Sequence, residues 1–318
     1  TQGQREVIWT GGSPDAQHRE QKGWLLQNDL SYTGLAGHAI KGGVKFKSLT
    51  VDLSGTSRSV DIIEKLLDRT TGQPIVGLFG GNPAADYTRF DPALAPVAVR
   101  YKNNMFGLYL QDDWQISKQL ELNLGLRWDY ESNMLNNSYV TPADRVAIFG
   151  KQDPRDGAPL GQTYAQSLAK GGVNIADYIS NGSSRKPFKG ALAPRLGFSY
   201  DLKGDKQTVL FGGWGRSYDR TMANHVLDEL QKNQQAGGEI WMIRNDIKMP
   251  FSDQISMGLR QGFGEWNGEL GFSHVHSKNQ FNWYGGNRDP QGGWGTQSPI
   301  DPLWGSVPGF GTLILGDF

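Results

Sequence analysis

The sequence predicts an all-β fold: a transmembrane antiparallel β-barrel, with about eight to ten strands in this chain and long extracellular loops. The first observation behind that expectation is the run from Leu120 to Tyr130. Leu120, Leu122, Leu124, Leu126, Trp128 and Tyr130 share one face, and Glu121, Asn123, Gly125, Arg127 and Asp129 share the other. Such a strand needs an apolar medium on one side and water on the other, which neither a soluble sandwich core nor a parallel α/β core provides. Its ten steps, tilted by about 45°, rise roughly 23 Å, the height of a barrel's apolar band, and Trp128 and Tyr130 fall where an interfacial aromatic girdle sits. The second observation is that short and long connections alternate along the chain. The third is composition: only 37% of the 318 residues are apolar, mean hydropathy is negative and no helical span is present, yet there are 43 Gly and 10 Trp. A barrel with a wet lumen and long loops dilutes its lipid face in this way.

Taken in order, Trp24 to Tyr32 and His38 to Leu53 form a first hairpin across the tight Thr33–Gly37 link, with Ile40, Val44 and Phe46 alternating with Lys41, Lys45 and Lys47. Val99 to Ile116 turns at Ser117-Lys118-Gln119 into the Leu120 strand, and Phe106, Leu108, Leu110 and Trp114 lie opposite Gly107, Tyr109, Gln111 and Asp113. Leu192 to Leu202 turns at Lys203–Lys206 into Val209 to Tyr218, and Ser252 to Phe263 turns at Gly264-Glu265-Trp266 into Asn267 to His276. Between these hairpins lie the polar stretches 54–98, 131–189, 219–249 and 277–309, far longer than the usual ~4–6 residues. All the long loops therefore open at one end. Thr221 to Gln234, with Met222, Val226 and Leu230 at four-residue spacing, predicts a short helix within a loop. Val60 to Leu67 fits a helix or a strand, and Thr70–Pro74 followed by Ile75–Phe79 favours a loop hairpin. An apolar-Gly-apolar triplet recurs at Gly107, Gly125, Gly197, Gly258 and Gly271, always on the polar face, which points either to a crowded or sharply curved interior or to simple relief of crowding among lumen side chains. A secreted β-solenoid or sandwich with decorated loops is the bland alternative, but no second apolar face is available for a partner sheet.

Lys plus Arg and Asp plus Glu balance at 32 each, so there is no electrostatic case for a nucleic-acid partner. Cysteine is absent, which excludes a disulfide scaffold and a cysteine metal site. The chain opens at Thr1 without a basic and apolar leader, so any export signal is expected outside it. Nucleophile-elbow, phosphate-loop and zincin motifs are missing, and neither catalysis nor a cofactor is expected. His274-x-His276 puts two imidazoles on one strand face, a geometry that can bind metal, but their parity continues the lipid-facing Leu270 and Phe272. The Asp153–Gly157 stretch reads as a polar turn, since it lacks the alternating oxygen ligands of a calcium loop. Glu121, Arg127, Asp129, Asp113, Arg195 and Asp201 all face inward. Mutual pairing along a wet wall accounts for most of them; the upper members, Arg127, Asp129 and Arg195, are candidates for lining a solute path. Trp283, Tyr284, Trp294 and Trp304 are the loop aromatics that could stack on a sugar or an aromatic chelator. Asp112 is out of place on the lipid-facing parity, though close to the turn.

Several phrases carry a family resemblance. Leu108-Tyr109-Leu110-Gln111-Asp112-Asp113-Trp114 with Leu122–Tyr130, and Ala193–Asp201 with Gly212–Arg220, resemble the barrel of TonB-dependent outer-membrane receptors. The loop phrases Thr141–Asp144, Gly161–Leu168 and Gly172–Ile175 are similar to the Oar-like group. The resemblance implies an outer-membrane location, uptake of a bulky solute of unspecified identity, and energy drawn from the TonB complex through a plug region. It further implies that residues 1–318 are part of one barrel domain whose plug and closing strands are not in this chain. A complete eight-stranded barrel is the competing architecture, and a structural or adhesive surface barrel that binds a partner through its loops is the competing function.

Overall fold

The computed structural model describes residues 3–10, 15–57, 60–68, 87–91, 97–219, 222–234, 239–293 and 311–317. In chain order the strands are β1 (Gly3–Thr10), β2 (Asp15–Tyr32), β3 (His38–Ser57), β4 (Val60–Asp68), β5 (Tyr87–Asp91), β6 (Val97–Gln115) and β7 (Leu120–Glu131). They continue as β8 (Phe188–Asp201), β9 (Thr208–Tyr218), β10 (Glu239–Ile243), β11 (Phe251–Phe263), β12 (Trp266–Lys278), β13 (Asn282–Gly285) and β14 (Thr312–Asp317). Helices α1 (Ala143–Phe149), α2 (Tyr164–Lys170) and α3 (Met222–Gln234) lie in the long connections.

Eight strands form one antiparallel sheet in the order β12-β11-β9-β8-β7-β6-β3-β2. All four hairpins expected from the sequence are present, and every neighbour in this sheet is antiparallel. Among the described residues, β2 and β12 each pair on one side only. β1, β4 and β5 make a small sheet, so Val60 to Leu67 is strand, not helix; Ile75–Phe79 lies outside the described residues. β13 and β14 pair antiparallel and β14 runs parallel to β10 in a third sheet. Leu313 and Leu315 are buried in that sheet.

Register carries the face assignment across the sheet. Leu26, Phe46, Phe106 and Tyr130 stand in one cross-strand row, and Leu124, Leu196, Trp214, Ile255 and His274 in another. This face is bare of protein: Leu110 is 61% and Leu270 78% exposed. So continuous an apolar surface is paid for only by lipid. Aromatic rings mark its outer edge, with Trp24 4.9 Å from Phe46, Trp128 6.3 Å from Tyr130, and Phe188, Tyr218 and Phe251 in sequence at 6.1 and 5.9 Å.

The opposite face is not wet throughout, which corrects the expectation of a polar lumen wall along the whole strand. β2, β3 and β6 run for 18, 20 and 19 residues, well past the ~9–11 residues a crossing needs. Beyond the girdle their inner face turns apolar: Leu49, Val51 and Leu53 of β3 and Val97, Val99 and Tyr101 of β6 are buried. Met222, Val226 and Leu227 of α3 join them in one cluster, each buried side chain contributing about 1.5–3 kcal/mol. The described residues of the stretches 131–189 and 219–249, expected as polar loops, thus fold into a cap over the outer end of the sheet. α2 is anchored by a capping box, in which Gln166 N donates to Thr163 Oγ1 at 3.3 Å and Thr163 N donates to Gln166 Oε1 at 2.8 Å.

Candidate functional site

The polar face of β6, β7 and β8 holds the inward charges. Side chains two apart on a strand share a face, so Arg127 can reach along β7 to Asp129, and it does so with both ends of its fork: Nε donates to Oδ2 at 2.7 Å and Nη2 to Oδ1 at 2.8 Å. Asp129 is 4% exposed. The pair lies directly over Gly107 of β6, where a Cβ would stand 2.7 Å from Asp129 Oδ1 and 2.9 Å from Arg127 Nη2. One step further, Tyr109 Oη donates to Asp29 Oδ1 at 2.7 Å across β3, over Gly43. The inward glycines therefore differ in purpose. Gly107 and Gly258 sit under side chains that leave no room, whereas at Gly271 a Cβ would meet nothing within 4 Å. Gly107→Ala should push the Arg127–Asp129 pair aside and cost about 1–3 kcal/mol, read as a lower unfolding midpoint in detergent; an unchanged midpoint would show that the pair does not depend on this close approach.

Gly125 has the opposite effect. It stands in a row with Gln111, Arg195 and Gly215, and without a side chain it leaves a recess of about 240 Å³ bordered by Tyr109, Gln111, Arg127, Ala193 and Arg195. Arg195 is exposed there and has no hydrogen bond or ion pair with any described residue. The structure thus brings Arg127 and Arg195 to one recess and places Asp129 one rung above it. Nearer the turns, Asn123 Nδ2 donates to Asp113 at 2.9 Å and Glu121 at 3.2 Å. Asp201 instead organises the β8–β9 turn, accepting from the backbone N–H of Lys203, Gly204 and Lys206 at 3.3, 3.0 and 2.8 Å.

Of the loop aromatics, Trp283 and Tyr284 lie on β13 within the cap, half-buried. Trp283 Nε1 donates to His225 Nδ1 at 3.0 Å, and the Tyr284 and Tyr178 hydroxyls are 2.7 Å apart. Trp294 and Trp304 lie outside the described residues. His274 and His276 stand opposite Ile255 and Asp253 on the lipid-side parity. Among the described residues no group of three or more His, Cys, Asp or Glu side chains is placed to hold a metal ion.

Some organising residues gave no sequence signal of that role. Arg185, in the polar phrase Ser183-Ser184-Arg185-Lys186, is fully buried and clasps Glu229 of α3 through two 2.6 Å hydrogen bonds. Its remaining donors reach Leu135 O at 2.9 Å, Ile243 O at 3.0 Å and Asn245 Oδ1 at 3.2 Å. Asp153 is held by Arg155 at 2.7 Å and Ser167 at 2.5 Å, which makes the Asp153–Gly157 stretch the expected polar turn. His38 Nδ1 lies 2.6 Å from Asp112 Oδ2, giving the misplaced carboxylate of the lipid-side face a partner on β3.

Residues 4–241 match the family model described as an outer membrane beta barrel domain. No curated protein matches the chain. Among solved structures, the chain is similar to the outer membrane transporter YddB of Escherichia coli, with a TM-score of 0.50 and 11% identity over 94% of this chain and 29% of that one. A variant of the ferric enterobactin receptor PfeA of Pseudomonas aeruginosa aligns with a TM-score of 0.38 and 12% identity over 96% of this chain and 39% of that one. The siderophore receptor PirA of the same organism aligns with a TM-score of 0.38 and 10% identity over 95% and 44%. The chain spans less than half the length of each of these structures. At such identities the likeness to YddB is one of fold.

Proposed function

The chain belongs to the outer membrane β-barrel domain family and lies in the outer membrane, and from that premise we propose that it is a sector of a TonB-dependent receptor barrel that takes up a bulky solute. The observation that carries the reading is the recess over Gly125, a cationic and hydrogen-bonding notch on the inner face, set below a folded outer cap. In this reading Arg127, Asp129 and Arg195 line the solute path. Asp129 fixes the Arg127 guanidinium in place, and Arg195 offers an unengaged charge to an anionic or polar group of the solute. The phrases at 141–144, 161–168 and 172–175 favour the Oar-like group. Energy would come from the TonB complex acting through a plug that fills the remaining lumen. No step of the cycle requires catalysis by this chain.

The cap's own apolar core favours a second reading, a rigid surface platform that binds a partner and transports nothing. Growth on a panel of scarce nutrients separates the two. The transport reading expects loss of this protein and loss of the TonB complex to abolish growth on the same nutrient. Growth that survives both losses on every nutrient, with surface binding still dependent on this protein, would overturn transport in favour of the platform.

A further inference from the structure

His225 on α3 joins the cap to its third sheet through a bond whose direction is fixed by chemistry. An indole N–H can only donate, so the 3.0 Å contact from Trp283 Nε1 requires an unprotonated His225 Nδ1. The ring is neutral, with its proton on Nε2. Around it is an aromatic box: Phe281 lies 4.2 Å from His225, and Trp283 packs 5.1 Å from Phe281 and 4.8 Å from Trp241 of β10. The imidazole thereby fastens α3 to β13, whose Trp283 in turn packs on β10.

Adding a proton to Nδ1 would set N–H against N–H and place a charge in a half-buried apolar box, so the bond and the protonated ring are incompatible. Among the described residues, the charged groups acting on the ring are Asp228, one turn along α3, and Asp219 beyond β9; both favour protonation. Lys232 and Arg19 in turn act on Asp228. Burial outweighs the two carboxylates and lowers His225 from the ordinary imidazole value.

We infer that His225 is an acid-released latch: neutral, it holds Trp283 and β13 against α3, and on protonation it frees the Trp283 ring and loosens that side of the cap. The sign follows from linkage. A group whose protonation is disfavoured in the folded state stabilises the latched form above its unfolded pKa, and that contribution is lost as pH falls through the folded one. The device is independent of whether the barrel transports or adheres.

The test is amide hydrogen exchange at 281–285 in the full-length protein reconstituted in lipid, corrected for intrinsic exchange, from about pH 8 to about pH 5, across the imidazole range. Exchange should accelerate by roughly five- to tenfold in acid, the factor carried by one lost hydrogen bond. His225→Gln, which can accept the indole proton and does not titrate, should keep the neutral-pH protection at both ends. The indole N–H resonance of Trp283, assigned with Trp283→Phe, gives an independent reading in the unmodified protein and should move with the His225 titration. Exchange and resonance that ignore pH, or an equal acid response in His225→Gln, would overturn the latch.

Discussion

Arg185→Leu should unlatch the outer cap while leaving the membrane sheet assembled. The guanidinium and the Glu229 carboxylate are 0% and 1% exposed, and removing one partner of such a pair leaves the other charge buried without compensation, at a cost of about 3–5 kcal/mol. The consequences are not confined to the pair. Leu135 O and Ile243 O lose their donors, so the connection after β7, helix α3 and β10 lose their common fastening. Glu229 also accepts from Ile243 N at 2.8 Å, so the double variant Arg185→Leu/Glu229→Leu should recover only part of the loss. The eight-stranded ladder contains neither residue. Hydrogen exchange and surface proteolysis should therefore rise sharply over residues 133–139 and 239–247 while exchange within the eight-stranded sheet stays unchanged. A variant that kept full protection in those segments would disprove the hub.

The second large effect concerns the sheet's two faces. Leu126 is 49% exposed on the lipid side, opposite Leu110 of β6 and near the middle of the crossing. Leu126→Arg should cost about 2–4 kcal/mol, the depth-dependent penalty for a cation at the bilayer midplane, and should lower the yield of assembled protein in the outer membrane. Gln111→Arg, next to the Gly125 recess at nearly the same depth, places the same charge on the inner face and should be tolerated. If the two variants behaved alike, or Gln111→Arg were the worse, the faces would be assigned the wrong way round.

The membrane sheet was legible because period-2 alternation is a local signal: the residues that set the faces of β7 are β7's own. The hairpins followed from the same pattern together with turns of a few residues. The cap was less so. Its clearest sign lay in β3, where the apolar parity moves from Ile40, Val44 and Phe46 to Leu49, Val51 and Leu53, the parity of Lys45 and Lys47. A parity change within one strand means that lipid has given way to protein on the other side, and the break falls at Lys47-Ser48. The Thr163-x-x-Gln166 capping box that starts α2 was also open to reading. Arg185 was not, because a buried arginine in a serine-rich loop differs from a solvated one through partners far along the chain, such as Glu229, 44 residues away. At the candidate site the inward position of Arg127, Asp129 and Arg195 followed from parity alone. That Arg127 spends its fork on Asp129 while Arg195 stands clear depends on rotamers and on Gly107, which no single strand reveals.

The outer sides of β2 and β12 have a consequence for how this molecule enters its membrane. Over a crossing of ~10 residues each such edge points about ten peptide N–H and C=O groups sideways, and hydrocarbon charges several kcal/mol for every one left bare. A ribbon with two such rims cannot wait in the bilayer for partners. Whatever covers these edges has to be in place as the sheet goes in, so insertion and the covering of the two edges are expected to be coupled. A slip of one residue at either seam would turn an entire strand's leucines toward water.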